Sequence, residues 1–333
     1  MVSFCISTYK RKDFLRSTLD SFARQTYPNF EVIVSDNDTE ESGREVVEER
    51  KDGRFRYFAN GVNLGMKKSF NKSLERSSGE YIVMIADDDP VYPEMLEILV
   101  GLAGQYPGHG LYLGGCNWFC TDPRIAGLYN LKVGMNSMLA QAPVGTVTVY
   151  PPTEFLLSFF GRKIFPAYLW STAMVKRDVL VKMGGTPDYG TPFLGDYAYL
   201  STMGADSGCV VINTALGHQT VHLENFGREQ NDQIMKAAVN FTEFVFGKVR
   251  HLDGFPAIEK AIHQFVALWA VSHVSFLHNY HRVFHNGSRD EGRRLEKEVF
   301  SIPFIKKYRT KYWLKINAPG LHDLIVSIKK KIN

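Results

Sequence analysis

Three carboxylates stand side by side at Asp87, Asp88 and Asp89, directly after the most apolar run in the chain and directly before Pro90. Adjacent carboxylates repel one another, a shift of one in pKa standing for ~1.4 kcal/mol, so a cation is the natural way to hold them together. Carboxylate oxygens suit Mg²⁺ or Mn²⁺, and Mg²⁺ is usually held by one or two carboxylates plus substrate phosphates. The bland alternative is a solvated acidic turn feeding the positive end of the next helix.

Asp36, followed by Asn37 and Asp38, ends a second apolar run. A carboxylate there can accept hydrogen bonds from the base or ribose of a nucleotide, or it can make an ordinary Asx turn. A third cluster runs Asn60-Gly61-Val62-Asn63-Leu64-Gly65 and then Met66-Lys67-Lys68-Ser69. Its glycines allow close backbone approach, Asn63 could contact a ligand, and Lys67 or Lys68 could offset phosphate charge. The chain has no G-x-x-x-x-G-K-[ST] and no G-x-G-x-x-G, which removes most of the support for ATP hydrolysis and dinucleotide binding.

These clusters need elements to position them, and the first hundred residues alternate between two periods. Val2–Thr8 reads as a strand, and Phe14, Leu15, Thr18, Leu19 and Phe22 then recur at helical spacing after Asp13, a candidate N-cap. The cycle repeats with strands at 31–35, 55–59 and 81–86 and helices at 41–50 and 66–76. Such alternation predicts an α/β fold with a mostly parallel sheet flanked by helices, the strands being apolar on both faces. Ligands of such sheets bind beyond the C-terminal strand ends, where Thr8, Asp36, Asn60 and Asp87 stand. Residues 118–152 are rich in Gly, Pro and Asn and predict an irregular, partly mobile segment over one edge of the site. From Asp232 the pattern is helical, with a long amphipathic stretch at 258–285.

The chain has 333 residues, 44% apolar and 22% charged, and no run approaching the ~18 apolar residues of a membrane span. A strand entered at residue 2 leaves no room for a secretory leader, so the expected location is the cytoplasm. Cys5, Cys116, Cys120 and Cys209 lack the paired spacing of a zinc site and are expected to be reduced, mostly buried thiols. The net charge of +4 hides an uneven distribution: residues 301–333 hold eight Lys or Arg against one acidic residue, Asp323. With Tyr308, Tyr312, Trp313, Leu321 and Leu324 interleaved, this tail suits a peripheral place on the anionic inner face of the plasma membrane. A solvated face or a homo-oligomer contact would use the same residues. Nothing in this distribution points to nucleic acid.

Ser7 to Arg11, Ser35 to Thr39, Asn60 to Gly65, and Gly79-Glu80-Tyr81 running into Asp87-Asp88-Asp89 resemble, in order and spacing, glycosyltransferase family 2 on the GT-A fold. The form with Asp36-Asn37 and a triple Asp is closest to abequosyltransferase-like O-antigen and capsule enzymes. The match is good over residues 1–100, looser to 226, and absent from 232–333. It implies a GT-A domain over 1–226, with a donor part (1–100) and an acceptor part (101–226), and a helical extension over 227–333.

What the resemblance implies is inverting transfer of a sugar from a nucleotide-diphosphate donor to a hydroxyl of a glycan or lipid-linked acceptor. Asp36 would face the base and Asp87 the ribose, with Thr8, Tyr9 and Arg11 lining the donor pocket. Asp88 and Asp89 would hold the Mg²⁺ or Mn²⁺ ion, completed by His222, with His218 in reserve. The family's catalytic base follows a Gly-Gly turn, here Gly184-Gly185, which makes Asp196 the candidate; relatives carry Glu-Asp where this chain has Gly195-Asp196. The other reading of Asp196 is a helix N-cap. Trp170 and Ser171 match the segment bordering the acceptor, although a Trp there could equally be core. Gly195 keeps alive a catalytically silent nucleotide-sugar-binding or scaffold module. A sugar nucleotidyltransferase would need a Gly-rich, basic loop after the first strand, which Ser7 to Arg11 is not.

Overall fold

The computed structural model describes residues 1–222, 233–284 and 289–332. Its first half is a run of strand and helix in alternation: β1 (Val2–Thr8), α1 (Lys12–Ala23), β2 (Phe30–Asp36), α2 (Arg44–Glu48), β3 (Phe55–Ala59), α3 (Met66–Arg76), β4 (Tyr81–Ala86) and α4 (Met95–Gln105). There follow β5 (Leu111–Cys120), α5 (Pro123–Tyr129), β6 (Gly134–Ser137), β7 (Val147–Tyr150), α6 (Pro152–Phe160), a 3₁₀ turn (Trp170–Thr172), β8 (Ala173–Lys176), α7 (Arg177–Lys182), α8 (Gly195–Ser207) and β9 (Cys209–Val221). The helices α9 (Ile234–Val249), α10 (Phe255–Phe284), α11 (Arg289–Ser301), α12 (Pro303–Asn317) and α13 (Pro319–Ile332) complete the chain.

The strands form one sheet in the order β3-β2-β1-β4-β8-β5-β9-β7, with β6 paired to β5. The first four strands are mutually parallel, as the alternating pattern predicts. The second half is mixed, because β8 runs antiparallel to both β4 and β5 while β9 returns parallel to β5. The order moves outward from β1 through β2 to β3 and then jumps back to β4 on the other side of β1. The β1/β4 boundary is therefore the switch point at which such sheets open a crevice.

Every residue of β2 is buried and six of the seven in β1, which is what helices on both faces require. Phe4 of β1 stacks on Phe22 of α1 with ring centroids 4.1 Å apart and meets Phe30 edge-on at 5.8 Å. Each such ring, fully buried, stabilises the fold by roughly 2 to 3 kcal/mol.

The compact packing falls into two units. One holds residues 1–121, 132–188 and 195–222; the other holds 122–131, 189–194 and 223–333. The expected boundary at 226 lies outside the described residues. In the second unit α10 packs its apolar stripe, including Ile262, Val266, Ala270 and Val274, into the helical core. No helix among the described residues is long and apolar enough to cross a membrane. All four cysteines are buried thiols.

Three local expectations change. The cap of α1 is Arg11, not Asp13, which sits in the first turn and puts its charge at the positive helix end. Helix α2 is shorter than 41–50 because Glu41 takes a left-handed φ of +54° and the turn runs on to Gly43. The segment 118–152 is more regular than its composition suggests. Asp122 caps α5 by accepting from the Arg124 and Ile125 N–H groups, with Pro123 at the first helical position.

The end of the sheet opposite the crevice is tied by one carboxylate. Glu31 accepts from Ser3 Oγ (2.7 Å), Ser78 Oγ (2.8 Å), Ser78 N–H and Arg56 Nη1 (3.0 Å), linking β1, β2, β3 and the entry to β4. Burial alone would raise its carboxyl, but the donors from Ser78 and Ser3 outweigh burial and hold it below the ordinary value. Glu31→Ala leaves these buried donors unpaired, so we expect a loss of about 3 kcal/mol in urea unfolding. Ligand binding in the folded fraction should be unchanged, since the lesion is at the far strand ends.

Candidate active site

The crevice at the β1/β4 switch point is built from strand ends. β4 ends at Ala86, and Asp87, Asp88 and Asp89 follow with 5%, 8% and 4% of their surface exposed. The parallel register pairs Ser7 with Ala86, so Thr8 lies beside Asp87, and its Oγ1 donates to Asp87 Oδ2 at 2.8 Å. Thr18 of α1 donates to the Asp87 carbonyl at 2.8 Å. Arg11, at the start of α1, donates from Nη1 to Asp88 Oδ2 at 3.0 Å and faces Asp87 Oδ1 at 3.5 Å. His222, just past the end of β9, brings Nε2 to 3.3 Å from the same Asp88 Oδ2. The His222 ring stacks on Phe14 of α1, centroids 4.6 Å apart.

The 3₁₀ turn reaches this cluster from the antiparallel side. Ser171 Oγ donates to Asp89 Oδ2 at 2.9 Å, and the Trp170 N–H donates to the carboxylate of Asp196, in the first turn of α8. Burial, then the Asp88 charge, push the Asp87 carboxyl up to about 7 against the pull of Arg11 and Thr8. The same two causes raise Asp89 well above its ordinary value. Burial is also the main cause that lifts Asp196 to about 7, the Trp170 N–H opposing and the Asp88 charge adding.

Thr8, Arg11, Asp87, Asp88, Asp89, Ser171, Asp196 and His222 thus come together from segments spread over more than two hundred residues. Of the two histidines, His222 faces Asp88, while His218 packs between Tyr92 and Phe119 at 6.0 and 5.7 Å.

The other predicted residues have the following surroundings in the structure. Asp36 is fully buried and accepts from Asp38 N–H (2.8 Å), Gly43 N–H (3.0 Å) and Tyr57 Oη (2.9 Å). Three of a carboxylate's roughly four acceptor positions are taken, so Asp36 pins the loop after β2, the turn reading of its sequence. A Cβ on Gly43 would stand 2.8 Å from Asp36 Oδ2, which is why that close approach needs glycine. Asn63 accepts from the Gly65 N–H at 2.9 Å in its own turn and is exposed. Lys67 Nζ lies 3.4 Å from Asp188 Oδ1. The Trp170 ring is core, edge-on to Phe70 at 4.9 Å and Tyr199 at 5.6 Å; only the residue's backbone N–H reaches the site. Tyr9 is 45% exposed.

Sequence reasoning missed Tyr57 and Phe14, and named Asn37 only as a neighbour of Asp36. Asn37 Oδ1 accepts from Asn60 Nδ2 and the Leu64 N–H, joining the loops after β2 and β3. Tyr57 could have been found from strand alternation, since it pairs with Val34, two residues before Asp36.

The donor set fits a hard divalent cation: carboxylate oxygens and one imidazole, crowded where burial opposes their charge. No three His, Cys, Asp or Glu side chains among the described residues are arranged to hold a metal ion unaided. A cation held here would complete its coordination with substrate oxygens.

A sheet whose parallel half carries an acidic cluster at its switch point belongs to the open α/β class, which binds ligands in that crevice. Within that class, residues 3–183, over half the chain, match the Glycosyl transferase family 2 model, and the chain belongs to that family. It is 28% identical over 118 residues to the GalNAc(5)-diNAcBac-PP-undecaprenol beta-1,3-glucosyltransferase of Campylobacter jejuni, covering 34% of this chain and 38% of that one. It is 34% identical over 104 residues to abequosyltransferase RfbV of Salmonella typhimurium, covering 30% and 31%. The matched part spans about a third of the length of these curated relatives. Among solved structures, Staphylococcus aureus TarS 1–349 with UDP-GlcNAc aligns over 94% of this chain and 90% of its own at TM-score 0.61 and 13% identity. The mannosyltransferase PcManGT of Pyrobaculum calidifontis, with GDP-Man and Mn²⁺, aligns over 97% and 86% at TM-score 0.52 and 18% identity. At these identities the likeness is one of fold, the GT-A fold.

The raised carboxyls give the ligand-free protein a defined pH response. Asp87 and Asp196 hold protons in the fold between about 4 and 7, where the unfolded chain has released them. Their contribution to stability therefore falls as pH rises through that window. Buried His273 and His218, whose imidazoles burial pushes down, act in the opposite sense, so the carboxyl effect is read by difference. Asp87→Asn should raise the urea midpoint at pH 7.5 relative to that at pH 5.5 compared with wild type, and a profile parallel to wild type would show that carboxyl ionised in the fold.

Proposed function

We propose that this chain is an inverting glycosyltransferase that moves a sugar from a nucleotide-diphosphate donor to a hydroxyl of a glycan or lipid-linked acceptor in cell-surface polysaccharide synthesis. The observation that carries the reading is the meeting of Asp87, Asp88, Asp89 and Asp196 with Arg11 and His222 at the sheet's switch point. Family membership supports the reaction class, and the Campylobacter relative's undecaprenol-linked name supports the acceptor class.

The chemistry is a single displacement. The acceptor oxygen attacks the anomeric carbon from the face opposite the diphosphate, the bond from that carbon to the diphosphate oxygen breaks, and the hydroxyl proton passes to Asp196. A carboxyl raised to about 7 is suited to accept a proton near neutrality. The Trp170 N–H aims that carboxylate, and Ser171 steadies Asp89 beside it, on what we take as the acceptor side. Asp87, braced by Thr8, faces the donor ribose, and exposed Tyr9, next to Thr8 in the chain, lines the donor side. Asp88 and His222, with Asp89 next to them, would hold a Mg²⁺ or Mn²⁺ ion. When bound, that ion supplies charge stabilisation to the departing diphosphate.

The test is donor turnover across UDP-, GDP-, CDP- and dTDP-sugars with Mn²⁺ or Mg²⁺. One nucleotide should be released in a metal-dependent way, with Asp88→Asn losing about 10²-fold or more. Asp196→Asn should lose transfer to a comparable degree while still binding the nucleotide diphosphate. Binding without turnover in the presence of lipid-linked and oligosaccharide acceptors would replace this reading with the silent binding module.

The C-terminal helices support a peripheral place on anionic membrane. On α12 and α13, Trp313, Leu321 and Leu324 are 46%, 51% and 57% exposed, and Lys306, Lys307, Lys311 and Lys315 are exposed among them. Aromatic and aliphatic side chains interleaved with Lys match the interface between headgroup and acyl chain. The chain should co-sediment with phosphatidylglycerol vesicles and not with phosphatidylcholine vesicles. Binding should weaken severalfold in Trp313→Ser/Leu321→Ser and in 0.5 M salt, roughly as screening predicts.

A further inference from the structure

We propose that Arg11 occupies, in the donor-free protein, the electrostatic position of the divalent cation, so that the metal binds well only when a diphosphate draws the guanidinium away. The inference rests on the metal reading of the acidic cluster above and adds to it an order of assembly.

A single guanidinium nitrogen serves two carboxylates. Arg11 Nη1 is 3.0 Å from Asp88 Oδ2 and 3.5 Å from Asp87 Oδ1. The oxygen it meets most closely is the one that His222 Nε2 also approaches, at 3.3 Å. Asp88 Oδ2 is thus the point where a metal carboxylate ligand and a metal imidazole ligand would converge, and a positive charge already stands beside it. Two cations sharing one oxygen of a buried carboxylate repel strongly, because little water is present to screen them. The ion and the guanidinium therefore compete.

Arg11 is placed to yield. Its side chain keeps 24% of its surface exposed, against 7% and 11% for the side chains of Asp87 and Asp88. It springs from the short connection between β1 and α1, where Lys10 has a φ of +55° and Arg11 itself has a non-helical backbone with no side-chain cap. The guanidinium also lies 5.9 Å from the Phe14 ring, whose stacking partner is His222, so an aromatic surface flanks its path. A planar fork of N–H donors is matched to phosphate oxygens, and a donor diphosphate offers it a partner of greater charge than one shared carboxylate. Metal and diphosphate binding are then coupled: each makes room for the other, and neither site is complete alone.

The experiment is Mn²⁺ binding to the intact chain, measured by equilibrium dialysis with and without inorganic pyrophosphate, the Mn²⁺ held by pyrophosphate alone being equal on both sides and so subtracted. Arg11→Ala and Arg11→Gln are compared with wild type; Gln keeps a donor near the same reach, so the test survives if the Ala variant folds poorly. We expect both variants to bind Mn²⁺ alone about tenfold more tightly than wild type, within the usual range of coupling between sites. Pyrophosphate should tighten Mn²⁺ binding strongly in wild type and much less in either variant. Variants that bind Mn²⁺ alone no better than wild type, while wild type still binds it with pyrophosphate, would overturn the competition and leave the metal reading standing. No Mn²⁺ binding by any form with pyrophosphate present would remove both.

Discussion

The structure depends on a repulsion that the fold must hold in place. Asp87, Asp88 and Asp89 are consecutive and nearly buried, and their charges, with that of Asp196, oppose one another in a region where burial already disfavours the ionised forms. Nothing in the local sequence would gather such a group. It is gathered because β4 lies inside the sheet between β1 and β8, and its buried apolar residues fix where the chain must emerge. The compensation is correspondingly dense: Thr8 and Arg11 on Asp87, Arg11 and His222 on Asp88, Ser171 on Asp89, and the Trp170 N–H on Asp196.

The two ends of the parallel half of the sheet solve opposite electrostatic problems. At the N-terminal ends, Glu31 is buried but fully served by hydroxyl, amide and guanidinium donors, and its carboxyl stays below the ordinary range. At the C-terminal ends the carboxylates outnumber their donors, and Asp87 and Asp196 rise to about 7. A satisfied carboxylate stabilises; an under-served one is poised to take a proton or a cation. The same residue type therefore marks structure at one end and chemistry at the other, and only the partners tell them apart.

Much of this was legible in sequence, for reasons that differ by element. The strand at residues 2–8 and those at 55–59 and 81–86, with the helix at 66–76, emerge within the predicted bounds because their patterns are strong and local. The helix α5 (Pro123–Tyr129) within 118–152 was hidden by composition: Gly, Pro and Asn also build caps, and Asp122 with Pro123 does so here. The acidic triplet declared itself through position after an apolar strand. The fate of Asp36 did not, because whether a carboxylate is open or saturated depends on Tyr57 and Gly43, one in the next strand and one across a turn. Trp170 was ambiguous for a similar reason, its ring and its backbone N–H answering to different neighbours.

The mixed half of the sheet is what closes the site. A wholly parallel sheet would present only loops that follow strands, and each would approach the crevice from the same direction. β8 runs the other way, so the 3₁₀ turn that precedes it arrives at the same level as the residues that follow β4. That reversal delivers the Ser171 hydroxyl to Asp89 and the Trp170 N–H to Asp196 within one turn of backbone. β9, parallel to β5 but long enough to pass two register shifts, carries His222 in from the remaining side until its ring meets Phe14 of α1. Four elements far apart in sequence thereby converge on one carboxylate cluster. A change in the direction of β8 or the length of β9 would separate groups that no local motif could bring back together.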